Sequence, residues 1–138
     1  MPSDDLPGLA EVGHATVPCG PQAPSVARTA VAQWLETHGH TELREDACLL
    51  ISELVTNSIR HAGQPAGAPV QIRAHAVNGV VRFEVEDRGH GPVRRRAPGP
   101  RTGGFGLHFV DTLAVRWGVN GDHGTRVWFE LAAHRSAP

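Results

Sequence analysis

The chain of 138 residues contains no lysine, all 13 of its basic positions being arginine. Alongside its alanine, glycine and proline richness, this reads as coding bias rather than chemistry. It does exclude every mechanism that needs a lysine, including the phosphate-gripping lysine of P-loop enzymes. Cysteine is nearly absent as well. Cys19 precedes a Gly-Pro turn and Cys48 lies inside a helical pattern, so the two belong to no metal spacing or disulfide framework. Two reduced thiols in an intracellular protein are expected. No apolar run approaches the ~20 residues that span a bilayer. The N-terminus carries Asp4 and Asp5 where a secretory signal would have bases and an apolar block. A cytoplasmic protein with no membrane role follows. An excess of one charge sign is also missing. The net charge of -1 gives no support to direct nucleic-acid binding. The nine histidines are scattered, with no i, i+4 pair, so no zinc site is expected.

What is present begins with length enough for one domain and a real hydrophobic core, 40% of the residues being hydrophobic. The stretch 49–62 dominates. Leu50, Ile51, Leu54, Val55, Ile59 and Ala62 recur at the three- and four-residue spacings of a buried helical stripe. Glu53 and Asn57, one helical step of four apart, project from one face, with His61 a turn further on. A plain solvated face accounts for such residues equally well when the helix is taken alone.

In chain order, residues 1–13 read as a loose tail without periodicity. His14 to Pro18 fits a short edge strand ended by the Gly20-Pro21 turn. A helix is predicted from Ser25, as N-cap, to about Thr37, with Gly39 closing it. A second helix is predicted from Thr41 to about His61, followed by a loop over 63–67. Two alternating stretches, Val70 to Ala76 and Val80 to Asp87, flank Asn78-Gly79, a strong hairpin turn. Residues 88–103 are rich in glycine and proline, and a loop of that length in a compact domain is usually functional or disordered. A third helix over Gly104 to Leu113 and a second hairpin, Val115–Val119 with Thr125–Leu131, complete the domain. Its expected bounds are 14–132, with a short tail at 133–138. The order predicts an α+β two-layer sandwich, helices on one face of a mixed, mainly antiparallel sheet.

Four polar or glycine-rich islands stand at the ends of these elements: Glu53 with Asn57, Asp87 to Gly91, Gly103 to Gly106, and Gly124-Thr125. Asp87 shares the parity of Val81, Phe83 and Val85, which puts a carboxylate at the end of a buried face. An exocyclic amine such as that of adenine is a suitable donor to it; a turn-capping aspartate is the plainer alternative. Gly89 and Gly91 let the backbone approach a flat ligand. Gly103, Gly104 and Gly106 precede a helix N-terminus, which favours a phosphate.

Taken together, the islands resemble the boxes of the GHKL ATPase superfamily, whose Bergerat fold is an ATP-binding sandwich of this kind. Glu53-x-x-x-Asn57 is similar to the N box, Asp87-x-Gly89-x-Gly91 to the G1 box, Gly104-Phe105-Gly106-Leu107 to the G2 box, and Gly124-Thr125 to the last box. Residues 52–62, 104–118 and 125–131 carry a closer likeness to small bacterial anti-sigma factors that are also serine/threonine kinases. The resemblance implies the following roles. Asn57 holds Mg²⁺ against the ATP phosphates through its carbonyl oxygen, and Glu53 is the general base. Asp87 accepts the adenine amine, with Thr125 sharing a water. Arg60, His61, Gly89, Gly91, Gly103, Gly104, Phe105, Gly106 and Leu107 complete the nucleotide site. Residues 92–103 would be the ATP lid, and Arg94-Arg95-Arg96 within it would face the phosphates, an acidic partner or solvent. The cofactors are then ATP and Mg²⁺, and the protein partners a sigma factor and an anti-sigma factor antagonist. A homodimer through the first helix and its neighbouring strand is implied too. With roughly 13 residues before the first strand, no phospho-accepting helix of a sensor histidine kinase is expected. The competing reading is a nucleotide-binding interaction module that acts by sequestration with little or no catalysis.

Overall fold

Alternation along the middle of the sequence decides the layering. The computed structural model describes residues 10–62, 65–87, 107–120 and 125–132. The elements are β1 (Ala10–Pro18), α1 (Ala23–Thr37), a 3₁₀ turn (Thr41–Leu43), α2 (Arg44–Ala62), β2 (Pro69–Val77), β3 (Val80–Asp87), α3 (Leu107–Leu113), β4 (Arg116–Asn120) and β5 (Thr125–Ala132). The strands form one sheet in the order β1-β2-β3-β5-β4. Every pairing among the described residues is antiparallel, as the expected two-layer sandwich allows. Two hairpins account for two of these pairings, and β3 with β5 closes the centre.

On the inner face Val70, Ile72, Val81, Phe83 and Phe129 are fully buried. Phe83 and Phe129 are cross-strand partners with ring centroids 4.9 Å apart. The helices cover this face: Ala27, Val31 and Leu35 of α1, and Ala47, Leu50, Ile51 and Val55 of α2, are all at 0% exposure. Each large aliphatic side chain so buried contributes ~1.5–3 kcal/mol. Helix α1 packs on β1 and α2, and α3 on α2 and β4. Since β1 and β4 are opposite edges, α2 lies between the other two helices.

Several boundaries differ from those predicted. Helix α1 begins at Ala23, not at a Ser25 cap; its N-cap is Gln22, without a side-chain cap, and Pro24 sets the first turn. Gly39, at φ +78°, follows its C-terminus as expected. The turn Thr41–Leu43 is 3₁₀ before α2 proper starts at Arg44. Strand β1 is longer than His14–Pro18 because Ala10 and Glu11 already pair with β2, across a bulge between Glu11 and Gly13. Asn78 and Gly79, at φ 47° and 81°, make the expected turn of the β2–β3 hairpin. The third helix starts, among the described residues, at Leu107.

The bulge has a packing purpose. A Cβ at Gly13 would lie 2.0 Å from the Trp34 ring of α1, so the indole needs a glycine beneath it. Gly13→Ala is therefore expected to lower stability by ~1–3 kcal/mol through overpacking. Thermal unfolding should show a melting point several degrees lower; an unchanged one would mean that Trp34 moves aside at no cost.

The opposite face of the sheet carries no helix among the described residues, yet two carboxylates are buried in it, Glu84 at 8% and Glu130 at 5% exposure. Glu130 accepts hydrogen bonds from Arg82 Nε at 2.9 Å and from Arg116 Nε at 3.0 Å, both arginines being its cross-strand partners. Arg82 also stacks 4.1 Å over Trp128, whose indole lies on Gly118. Burial alone would push the Glu130 carboxyl up. The hydrogen bonds from Arg116 and Arg82, with their charges, outweigh it and hold the group below its ordinary value. A carboxyl depressed on folding contributes stability above its unfolded pKa, about 4.3 for glutamate, and loses it as pH falls through the lower folded value. Acid unfolding should accordingly depend less steeply on pH below about 4.3 in Glu130→Gln than in the natural chain. Parallel curves would show that the cluster is not linked to protonation.

Candidate functional site

The C-terminal half of α2 is seated on the end of β3 by a polar contact. Ser58 Oγ donates to Asp87 Oδ2 at 2.5 Å. Ser58 lies four residues after Leu54 and seven after Ile51, on the buried stripe, so its hydroxyl needs a partner there. Asp87, 5% exposed at the inner end of β3, is that partner. The hydroxyl uses one of the roughly four acceptor positions of a carboxylate. Sequence reasoning missed Ser58 as a site residue; the signal was a hydroxyl standing in register with the apolar stripe.

Thr125 is brought to the same place by strand register. It opens β5 directly opposite Asp87, in the pairing that begins the β3–β5 ladder. Opposed residues have Cβ atoms ~4.5–5.5 Å apart. Three segments thus meet at one end of the sheet: α2 through Ser58, β3 through Asp87 and β5 through Thr125.

Helix geometry fixes where Glu53 and Asn57 stand. Cys48 Sγ donates to the Arg28 carbonyl of α1 at 3.6 Å, which marks the α1 side of α2. At about 100° per residue, Asn57 lies about 180° round the helix from Cys48 and Glu53 about 140°. Both therefore point away from α1, on the flank nearer α3, and both are half-buried. Asn57 precedes Ser58 and so is one residue from the contact with Asp87.

The remaining predicted residues are placed less closely. Arg60 is exposed near the end of α2. His61 belongs to α2 and Leu107 opens α3, but their side chains lie outside the described residues. Gly89, Gly91, Gly103, Gly104, Phe105 and Gly106, the lid segment 92–103 and Arg94-Arg95-Arg96 also lie outside them. Where α3 is described, it is tied to the sheet by Trp117 Nε1, which donates to Asp111 Oδ1 at 3.0 Å. Its Val110 is fully buried.

Electrostatics set the character of the pocket end. Burial and, secondarily, the negative charge of Asp87 push the Cys19 thiol above its ordinary value, which keeps it protonated at neutral pH. Both cysteines are free thiols. Among the described residues no group of three or more histidine, cysteine, aspartate or glutamate side chains could hold a metal ion. A divalent ion would instead need oxygen donors such as the Asn57 carboxamide, completed by a ligand's phosphates. A buried carboxylate held by one hydroxyl, with Thr125 opposite it in the ladder, suits the amine edge of adenine, which donates where the carboxylate accepts.

A helix bearing Glu53 and Asn57, laid across an open antiparallel sheet whose central strand ends in a buried aspartate, is the Bergerat-type ATPase architecture. The family model for the histidine kinase-like ATPase domain matches residues 18–131, and the chain belongs to that family. Domains of the family bind ATP, as a rule with Mg²⁺. No curated protein matches the chain. No helix among the described residues is long and apolar enough to cross a membrane.

Proposed function

We propose that the chain is an ATP-dependent serine/threonine protein kinase of the anti-sigma-factor type, which phosphorylates an antagonist protein and sequesters a sigma factor in the cytoplasm. The observation that carries the reading is the Ser58–Asp87 contact. It seats the C-terminal half of α2 on the end of β3, and Asn57, the residue before Ser58, and Glu53, one turn earlier, stand on the flank of that helix away from α1. The likeness of residues 52–62, 104–118 and 125–131 to such kinases supports the finer assignment.

In this reading ATP supplies the transferable γ-phosphoryl group, and the chain contributes position and charge. Asp87, oriented by Ser58 and aided by Thr125, selects the adenine edge. Asn57, a hard oxygen donor, would hold Mg²⁺, which would supply positive charge to the phosphates. Glu53 receives the proton of the attacking serine hydroxyl as the bond to phosphorus forms and ADP leaves. Phosphate placed on the antagonist adds charge at its docking surface and weakens the complex. Two copies of the chain would associate through α1 and the edge strand β1.

Transfer of labelled γ-phosphate from ATP to a purified candidate antagonist tests the proposal. Label on a serine or threonine of the antagonist supports it. ATP binding without transfer to any partner would instead identify a nucleotide-binding module that acts by sequestration. Asn57→Ala is expected to weaken Mg-ATP binding by about tenfold or more, as loss of a charge-assisted contact does, and to leave adenosine binding nearly unchanged. Calorimetry with both ligands measures this, and equal losses would make Asn57 a packing residue.

A further inference from the structure

The outward face of α2 is built differently on the two sides of Glu53. At about 100° per residue, Asp46, Leu49 and Glu53 fall within about 60° of one another round the helix. Their arc is turned from the core, since Ala47, Leu50, Ile51, Leu54 and Val55 are buried behind it. Leu49 stands one turn, about 6 Å, before Glu53, and Asp46 about 10.5 Å before it. Both lie on the side of Glu53 away from Asn57, and neither is among the residues assigned to nucleotide. Arg60, a cation on the same arc, stands beyond Asn57 at the nucleotide end.

Leu49 is 39% exposed, although Leu50 and Leu54 of the same helix are buried. The next helix adds Phe109, 45% exposed. It lies about 100° round α3 from buried Val110, opposite Asp111, which is bonded to Trp117 of β4. Since α3 packs on α2 and β4, Phe109 is on its α2 side. Two large apolar side chains bordering the flank of one base form a patch rather than a scatter. Charge gives the character of what covers it. Glu45 and Asp46 are exposed in the first turn of α2. Neither they nor Glu53 enter an ion pair among the described residues, whereas Glu84, Glu86 and Glu130 of the open sheet face are each paired with an arginine. A negative helix face with an apolar centre complements a positive, apolar segment.

We propose, resting on the phosphotransfer above, that this face docks the acceptor segment of the phosphorylated protein, a stretch with an apolar and a basic residue close to its acceptor hydroxyl. With the hydroxyl at Glu53, the apolar side chain lies on Leu49 and a lysine or arginine faces Asp46. An extended chain advances ~3.3 Å per residue, so the apolar residue stands about two positions from the hydroxyl and the basic one about three.

The probes are two fluorescein-labelled dodecapeptides with a single serine, one carrying leucine two and arginine three positions before it, the other the same order reversed. Anisotropy of forms with alanine for serine measures binding to the whole chain at saturating Mg-ATP, and labelled ATP measures transfer to the serine forms. One of the two orders is expected to bind saturably and to accept phosphate, and glutamate in place of its arginine should weaken binding at least tenfold. Leu49→Ala should weaken binding at least fivefold. Asp46→Arg should reverse the preference in favour of the glutamate peptide, and Asp46→Asn should weaken the arginine peptide at least threefold. Mg-ATP affinity should stay unchanged in all three. Glu11→Arg, a like charge change at an exposed position of β1, should leave the preference as it is. Circular dichroism confirms that each variant is folded. Binding that obeys these rules without transfer would keep the docking face and overturn the phosphotransfer. Transfer indifferent to the peptide's arginine, to Leu49→Ala and to both Asp46 variants would keep the phosphotransfer and overturn the docking face. Absence of binding by either peptide would overturn it equally.

Discussion

Glu53→Ala is expected to reduce phosphotransfer by about 10²–10⁴-fold, the usual contribution of a positioned general base, with ATP affinity changed by less than about threefold. The asymmetry is the point. Glu53 is half-buried one turn before Asn57, so the proposal gives it the proton of the acceptor hydroxyl and no part in holding adenine. Alanine is the best helix former, so α2 should tolerate the change. Single-turnover transfer from labelled ATP, with affinity measured in parallel, separates the two effects. A variant that transfers phosphate at the natural rate would remove Glu53 from catalysis. One that loses binding and transfer together would make it a structural carboxylate.

The second large effect is expected at Asp87. Asp87→Asn preserves size but replaces an ionised acceptor with an amide, so the contact to an adenine amine loses its charge assistance. Such bonds contribute ~1.5–3 kcal/mol, which corresponds to a loss of ATP affinity of roughly 10- to 150-fold. Ser58→Ala should produce a smaller loss in the same direction, since it leaves the charge but removes one hydrogen bond, at 2.5 Å, that orients the carboxylate. Equal melting temperatures for Asp87→Asn and the natural chain would place the loss in binding. An unchanged ATP affinity would mean that the buried carboxylate serves only to seat α2.

The physical reasons for what the sequence disclosed differ from element to element. Period-two alternation in Val80 to Asp87 placed Val81, Phe83, Val85 and Asp87 on one face, and all four are buried. The helical stripe Leu50, Ile51, Leu54 and Val55 was equally legible and is buried at 3% exposure or less. Both patterns are set by strong local periodicity. The start of α1 was misplaced because Ser25 is a good cap in isolation, whereas Pro24 and the turn at Gly20 fix the entry. The first four residues of β1 were hidden because Gly13 does not read as a strand residue; only the Trp34 ring lying on it explains it. Of the expected site residues, parity already put Asp87 at the buried end of β3, where β5 register sets Thr125 opposite it. Ser58 was not legible, because its importance depends on a partner 29 positions away. The cluster of buried Glu130 with its two arginines likewise exists only once β3, β4 and β5 align.

The account depends on a purine nucleotide lying against Asp87 while its phosphates reach the Asn57 flank with Mg²⁺. Calorimetric titration of the chain with ATP and with GTP, each in the presence and absence of Mg²⁺, tests this most directly. One-to-one ATP binding that strengthens with Mg²⁺ and exceeds GTP binding at least tenfold is the predicted result, because guanine presents an acceptor where adenine presents its amine. Indifference to the base, or no binding of either nucleotide, would contradict it.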